Sequence, residues 1–209
     1  MKTLLLQSSA LERSTEGWMV SAAIGISKHR LTFSPTVVLI NNAGILRAPG
    51  GGLADIRAAY NEILNTNLTS IAVMTIAFKP LLHKSTDPKV INITSGLASM
   101  QNALTKKMGR FPSYGTSKVG LNGLTVHMQI EENDRIEAEK ETLSGRPRIR
   151  FYVAAPGLLK TAFTGFWEMG KDPALGAEVV YHLATDDKHT YEGASQWEFE
   201  EGEMRRVPW

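Results

Sequence analysis

The sequence predicts an α/β fold with a doubly wound parallel sheet, and three observations lead to this prediction. Short runs rich in apolar residues, each ending in a cluster of turn-forming residues, recur along the chain. The first two runs are each followed by a longer segment with apolar residues at helical spacing. Strand and helix therefore alternate, which favours parallel strands joined by right-handed crossovers.

A buried parallel sheet is indicated by apolar runs at residues 36–40, 89–93 and 149–153. Runs of this length, rich in β-branched residues, are typical of strands covered on both faces. Residues 195–199 alternate between polar and apolar types, which predicts a final strand.

Helices are predicted over residues 55–79, 115–130 and 173–184. Asp55 is expected to cap the first of them. The charge run at residues 131–141 mixes both signs, so we expect a solvated helix face that leads into a surface loop.

The composition excludes several classes of function. The chain of 209 residues is 43% hydrophobic and 21% charged, as in ordinary globular domains with one core. Its formal net charge of +2 is too small to indicate nucleic acid or an anionic membrane as a partner. It has no cysteine for disulfides or thiolate metal sites, and its five histidines lack metal-ligand spacing. No apolar stretch approaches the roughly 18 residues of a membrane span, so a cytoplasmic protein is expected.

Distinctive short segments follow the three buried strands, at residues 41–44, 94–96 and 155–157. In open α/β sheets, ligands bind beyond the carboxyl ends of the strands. The topology would bring these segments to one edge of the sheet, and we expect the functional site there.

Three residues near this edge carry the chemistry. Tyr114 and Lys118 are spaced to lie on one helix face. A free tyrosine has a pKa of about 10, and a cation beside it favours the phenolate and lowers that pKa. Such a pair can exchange a proton near physiological pH. Ser95, just past a buried strand, could orient a substrate carbonyl. Each signal alone also fits a solvated helix face or an exposed loop serine.

Five motifs occur together in a fixed order: Asn41-Asn42-Ala43-Gly44, Asn67-Leu68, Asn92-Ile93-Thr94-Ser95, Tyr114-Gly115-Thr116-Ser117-Lys118 and Pro156-Gly157-Leu158-Leu159-Lys160-Thr161. In this combination the chain closely resembles the short-chain dehydrogenase/reductase family, over residues 36–200. The resemblance implies a Rossmann-like fold. It also implies that a hydride is transferred between a small carbonyl or alcohol substrate and a cofactor, NAD or NADP. NADP is slightly preferred.

The resemblance implies a role for each matched residue. Tyr114 would exchange the proton, Lys118 would bind the nicotinamide ribose and lower the tyrosine pKa, and Ser95 would hold the reacting group. Asn67 would hold a water that links the lysine to solvent. The residues implied to line the cofactor are Asn41, Ala43, Gly44, Tyr114, Lys118, Pro156, Gly157, Leu159 and Thr161.

The sequence departs from the family before residue 36. The family's glycine-rich turn, whose backbone approaches the cofactor pyrophosphate, is not found there. Residues 3–6 fit the family's third strand, with a helix over residues 10–28, so the first two strand–helix units are expected to be missing. We therefore interpret residues 1–209 as a single domain in which residues 1–35 are atypical. Three explanations stay open: a truncated gene model, a degenerate relative, or a segment that covers the gap in an unusual way.

Two segments are expected to border the substrate. Residues 101–112 form an extra loop before Tyr114, and residues 158–171 carry Phe163, Phe166 and Trp167 as an apolar lid. Packing of these aromatic residues within the fold is the alternative interpretation.

Two hypotheses of function follow from the sequence. The first is an enzyme that reduces a carbonyl or oxidises an alcohol. The second is a non-redox relative, either a cofactor-free cyclase or isomerase or a binding partner. A homo-oligomer is implied by the resemblance alone, through the helices that bear Asn67 and Tyr114.

Overall fold

The computed structural model describes residues 4–7, 22–27, 36–106, 108, 111–139 and 147–209. The strands in these ranges are β1 (Leu4–Gln7), β2 (Ala22–Ser27), β3 (Thr36–Asn41), β4 (Lys89–Ile93), β5 (Arg150–Ala155), β6 (Gln196–Glu200) and β7 (Glu203–Val207). The α-helices are α1 (Leu53–Leu64), α2 (Ser70–Leu82), α3 (Met100–Thr105), α4 (Pro112–Glu139) and α5 (Pro173–Thr185).

The described strands form one sheet whose order follows the sequence from β1 to β7. The central strands β3 to β6 run parallel to one another, which confirms the predicted parallel sheet. The two edges are antiparallel, since β1 pairs with β2, β2 with β3, and β7 with β6.

The N-terminal part of the prediction needs correction. A helix over residues 10–28 is wrong for residues 22–27, which form β2 beside β3. Ile24 and Ile26 alternate with small residues, a pattern that favours a strand. The remainder of that predicted helix lies outside the described residues.

Helices cover both faces of the parallel strands, as a doubly wound fold requires. On one face, Val37, Leu39 and Phe151 form a core with side chains of α2 and α4. On the other face, Ile91 and Tyr152 pack against α5. Side chains of a strand point alternately to opposite faces, so the apolar residues of each run supply both cores.

The predicted helix over residues 55–79 is two α-helices joined by a π-helical segment, Asn65–Thr69. Its cap is not Asp55, because the helix begins after Gly52 and shows no side-chain cap. Asp55 instead accepts hydrogen bonds from Arg47 and the Gly50 backbone. Asp55 thus stabilises the loop that precedes the helix.

The second predicted helix continues to Glu139, and its charged end is not wholly solvated. Glu132 is buried, accepts from both Nε and Nη2 of Arg135, and accepts from the Ile149 backbone at 3.0 Å. Burial alone would raise the pKa of Glu132, but these hydrogen bonds outweigh it and hold the pKa below its usual range. The prediction of a solvated face is therefore wrong at this residue, which joins α4 to β5.

Two further elements escaped prediction. Residues 101–112 are not a continuous loop, because α3 begins after Ser99, whose hydroxyl accepts from the Asn102 backbone. At the other end of the chain, β6 and β7 form a hairpin whose turn residues Glu201 and Gly202 both have positive φ. Such two-residue turns are the ones that hairpins favour.

The described residues show neither a membrane-spanning helix nor a metal-binding cluster. None of their helices is long and apolar enough to cross a membrane. They also contain no cluster of three histidine or acidic side chains arranged to hold a metal ion.

Candidate active site

The segments that follow β3, β4 and β5 converge at the carboxyl edge of the sheet, as predicted. The register sets Asn41 opposite Asn92, and Ile93 opposite Ala154. Gly44, just after β3, lies between two polar side chains of other elements. A Cβ on Gly44 would be 3.5 Å from Asn67 Oδ1 and 3.5 Å from Lys118 Nζ.

Ser95, Tyr114 and Lys118 meet at this edge. A side-chain hydrogen bond joins Ser95 to Tyr114, and the Lys118 ammonium lies 5.7 Å from the centre of the Tyr114 ring. Lys118 is only 3% exposed, and its Nζ donates to the Ile93 carbonyl over 2.8 Å. The first turns of α4 present both Tyr114 and Lys118 because residues four apart share a helix face.

Burial has the largest effect on the protonation of both α4 side chains. It raises the pKa of Tyr114 to about 12, while the hydrogen bond with Ser95 acts in the opposite direction. It lowers the pKa of Lys118 to about 8, because a buried ammonium loses its hydration. Burial and Ser95 are the causes that act on this pKa here, and the lowering of the tyrosine pKa by Lys118 stays a prediction. At neutral pH Tyr114 is a protonated phenol.

The π-helical segment places Asn67 inside the site. Such a turn is rare in helices and is frequent at functional sites. The Asn67 amide is fully buried, accepts from the Ile45 backbone at 2.8 Å and donates to the Ile45 carbonyl at 2.9 Å. It also donates to Ser117 Oγ at 3.0 Å. Asn67 therefore clamps the residue after Gly44, and its role in holding a water stays a prediction.

The Asn41 side chain belongs to a buried hydrogen-bond network. Its Nδ2 donates to Asn92 Oδ1 at 2.8 Å and to Thr75 Oγ1 at 3.2 Å. Asn92 in turn donates to Thr125 Oγ1 at 2.9 Å. This buried network ties the sheet to α2 and α4. The Asn41 side chain therefore has a structural role, and lining of a cofactor by this residue stays a prediction.

A second buried network supports Ser95, and sequence reasoning missed it. Thr94 Oγ1 donates to Asn122 Oδ1 at 2.8 Å, and Asn122 donates to Gln196 Oε1 at 2.7 Å. Gln196 then donates to the Ser95 carbonyl at 3.2 Å. Asn122 lies four residues after Lys118 on α4, and this spacing is the signal that could have identified it.

The segment after β5 turns at Gly157, whose φ is 82°. A Cβ there would be 2.9 Å from Lys171 Cε, and the left-handed conformation also favours glycine. Leu159 packs on α5, because a Cβ on Gly176 would be 2.4 Å from Leu159 Cδ2. Pro156 and Thr161 are half-buried on the same segment, as Ala43 is after β3. For these residues the cofactor-lining role stays a prediction.

Residues 158–171, here named the flap, are closed at their base by backbone hydrogen bonds. The Lys171 N–H donates to the Leu158 carbonyl at 2.9 Å, and the Lys160 N–H donates to the Lys171 carbonyl at 3.0 Å. Phe166 and Trp167 are exposed on the flap, which does not fit simple packing within the fold. Phe163 lies with its ring centre 5.8 Å from that of Tyr114, tilted by 54°.

The fold and site together define a doubly wound α/β protein with tyrosine, lysine and serine at the carboxyl edge of its sheet. The family model described as short chain dehydrogenase matches residues 25–172. The chain belongs to this family.

Individual proteins agree with this assignment. A short-chain dehydrogenase/reductase of Aspergillus fumigatus is 52% identical over 175 residues, covering 82% of this chain and 66% of the relative. The carbonyl reductase Sniffer of D. melanogaster superposes with a TM-score of 0.62 at 23% identity, covering 82% of this chain and 66% of that one. An NADPH-bound carbonyl reductase from chicken fatty liver gives a TM-score of 0.58 at 25% identity, covering 81% of this chain and 64% of that one. The chain spans less than two thirds of each of these proteins.

Proposed function

We propose that this chain interconverts a carbonyl compound and an alcohol by hydride transfer with NADP or NAD. The observation that carries the proposal is the hydrogen-bonded pair of Ser95 and Tyr114 with the buried Lys118 ammonium beside the phenol ring. The protein relatives named as dehydrogenases and reductases support the redox hypothesis over a cofactor-free cyclase or isomerase.

The residues beside the reacting groups fit the nicotinamide end of such a coenzyme. Lys118 carries three donor hydrogens, and within the described ranges its one side-chain hydrogen bond goes to the Ile93 carbonyl. Two donors are therefore left for the hydroxyls of a ribose. Gly44 leaves room beside them, since a Cβ there would already be in van der Waals contact with Lys118 Nζ and Asn67 Oδ1, each at 3.5 Å. The NADPH-bound chicken enzyme gives slight support to NADP.

The chemistry divides between coenzyme and protein. When bound, the reduced nicotinamide would supply the hydride that reduces the carbonyl carbon and would itself be oxidised. Ser95 would hold the carbonyl oxygen, and the Tyr114 hydroxyl would deliver the proton to it, so that the product is the alcohol. A phenol with a pKa of about 12 is protonated at neutral pH, which favours the direction of reduction. Lys118, with a pKa of about 8, is a suitable partner for returning that proton.

The test combines binding with product analysis. The folded chain is titrated with NADPH and with NADH, and coenzyme fluorescence is followed. The chain is then incubated with each coenzyme and a panel of ketones. We expect saturable binding and equal amounts of coenzyme oxidised and alcohol formed. A folded chain that binds neither coenzyme would refute the proposal.

A further inference from the structure

Phe163 is the flap residue whose ring lies against the proposed proton donor. Its ring centre is 5.8 Å from that of Tyr114, within the range of a favourable aromatic pair. Phe163 nevertheless remains 44% exposed. Part of its aromatic surface is therefore free to contact a bound molecule beside Tyr114.

The position of Phe163 is fixed by the anchoring of the flap. Lys171 pairs with Glu200 over 2.7 Å and donates to the Phe199 carbonyl over 3.3 Å, in addition to its backbone bonds within the flap. Leu159 packs tightly on Gly176 of α5. An aromatic ring held in this way gains contact with a substrate at little cost in side-chain entropy.

Apolar residues also surround the segment that follows Ser95. Met108 reaches Gly96, where a Cβ would be 3.4 Å from Met108 Cε. Next to it lies a cavity of about 330 Å³ whose lining includes Leu97, Ala103 and Phe111. Apolar side chains thus lie on the segments next to both Ser95 and Tyr114, which suits a substrate that is apolar apart from one carbonyl.

We infer that the site selects ketones whose carbonyl is conjugated to a flat aromatic ring, and that Phe163 is the residue that recognises the ring. This inference rests on the proposed carbonyl reduction. Conjugation makes the ring coplanar with the carbonyl, so the hydroxyls that fix the oxygen also fix the plane of the ring. A planar ring adjacent to the carbonyl can then meet the exposed part of Phe163 in an aromatic contact, which a puckered saturated ring cannot make.

The test uses two ketones with the same carbon skeleton, α-tetralone and 1-decalone. Only α-tetralone carries an aromatic ring next to the carbonyl. The ratio of their kcat/KM values is measured with NADPH for the wild-type chain and for Phe163→Leu, which keeps an apolar side chain of similar size. Comparing the ratio between variants cancels the different reactivity of the two ketones. The control is Tyr181→Leu, which removes an exposed aromatic ring from α5 instead.

We expect Phe163→Leu to lower the tetralone-to-decalone ratio by about 2- to 10-fold, the value of one aromatic pair. Tyr181→Leu should leave the ratio as it is in the wild type. An unchanged ratio in Phe163→Leu, or an equal fall in the control, would overturn the inference.

A binding measurement separates the two proposals. Dissociation constants of both ketones are measured by ligand-observed NMR, with and without NADP, so that no turnover is needed. If the wild type reduces no ketone but Phe163→Leu weakens α-tetralone binding selectively, the proposed reaction fails and the inference on substrate class stands. If ketones are reduced but neither binding nor the ratio depends on Phe163, the reaction stands and the inference fails. Absence of binding by both ketones also overturns the inference.

Discussion

Replacing Lys118 with methionine should stabilise the fold while removing a residue of the proposed site. Lys118 is 3% exposed, and its burial lowers its pKa from 10.5 to about 8. With each unit of pKa worth about 1.4 kcal/mol, this lowering corresponds to about 3 kcal/mol against the charged form. The hydrogen bond to the Ile93 carbonyl contributes about 1 kcal/mol in favour of the lysine. At pH 7 we therefore expect Lys118→Met to raise the free energy of unfolding by about 2 kcal/mol.

The pH dependence follows from the direction of the pKa change. Below pH 8 both the folded and the unfolded chain hold the proton of Lys118, and the full cost of burying the charge is present. Between pH 8 and 10.5 the unfolded chain binds more protons at this residue, so the stability contributed by the lysine rises with pH. The advantage of Lys118→Met should therefore disappear as pH approaches 10.5.

The assay is urea unfolding of both chains at pH 7 and at pH 10, with Lys188→Met as a control for loss of an exposed lysine. The control should change the unfolding midpoint little at either pH. The reasoning is refuted if Lys118→Met is less stable than the wild type at pH 7, or if its advantage is the same at both pH values.

Three further predictions concern the framework of the site. Asn92→Ala should lower the free energy of unfolding by about 2 kcal/mol, since it leaves Asn41 Nδ2 with a weaker partner and Thr125 without its donor. Chemical denaturation measures this loss, which should be smaller when Asn41→Ala is already present. Gly176→Ala should lower the free energy of unfolding by about 1–3 kcal/mol, because its Cβ would lie 2.4 Å from Leu159 Cδ2. Gly123→Ala has open space at the Cβ position, so its better helix propensity should raise the melting temperature. Glu132→Gln should lower the free energy of unfolding by about 3 kcal/mol, because it breaks a buried ion pair with Arg135. Since the fold lowers the pKa of Glu132, the stability that this carboxylate contributes is present above the usual carboxyl pKa and is lost as pH falls. The acid-unfolding curves of the two chains should therefore converge at low pH.

The parallel sheet could be predicted because its strands are buried on both faces. Runs rich in β-branched apolar residues, such as Val90, Ile91 and Ile93 within residues 89–93, favour the interior, and the predicted bounds of this run match β4. The hairpin partner β7 was missed because its exposed residues Glu203, Arg205 and Arg206 leave no apolar pattern. Its signal lay in the turn residues Glu201 and Gly202.

Errors arose where tertiary partners decide the outcome. Asp55 is a residue type that often caps helices, yet its carboxylate accepts a hydrogen bond from Arg47 in the preceding loop. Glu132 lies in a charge run that reads as solvated, yet a neighbouring guanidinium and a strand N–H make its burial favourable. Spacing along one helix could not reveal either partner.

The candidate site was predicted better in its residue types than in its electrostatics. Helical spacing correctly placed Tyr114 and Lys118 on one face, and Ser95 joins them through a hydrogen bond. Burial, however, outweighs the expected effect of the lysine on the phenol, and burial depends on how the whole chain packs. The link through Gln196 to Ser95 spans distant parts of the chain and has no local signature.

The most direct test of the central claim is the single-turnover rate of ketone reduction in Tyr114→Phe at saturating NADPH. If the Tyr114 hydroxyl delivers the proton, the rate should fall by at least about 100-fold. The affinity for NADPH should be retained, because Lys118 and Gly44 are intact. A Tyr114→Phe chain that reduces the ketone as fast as the wild type would contradict the account.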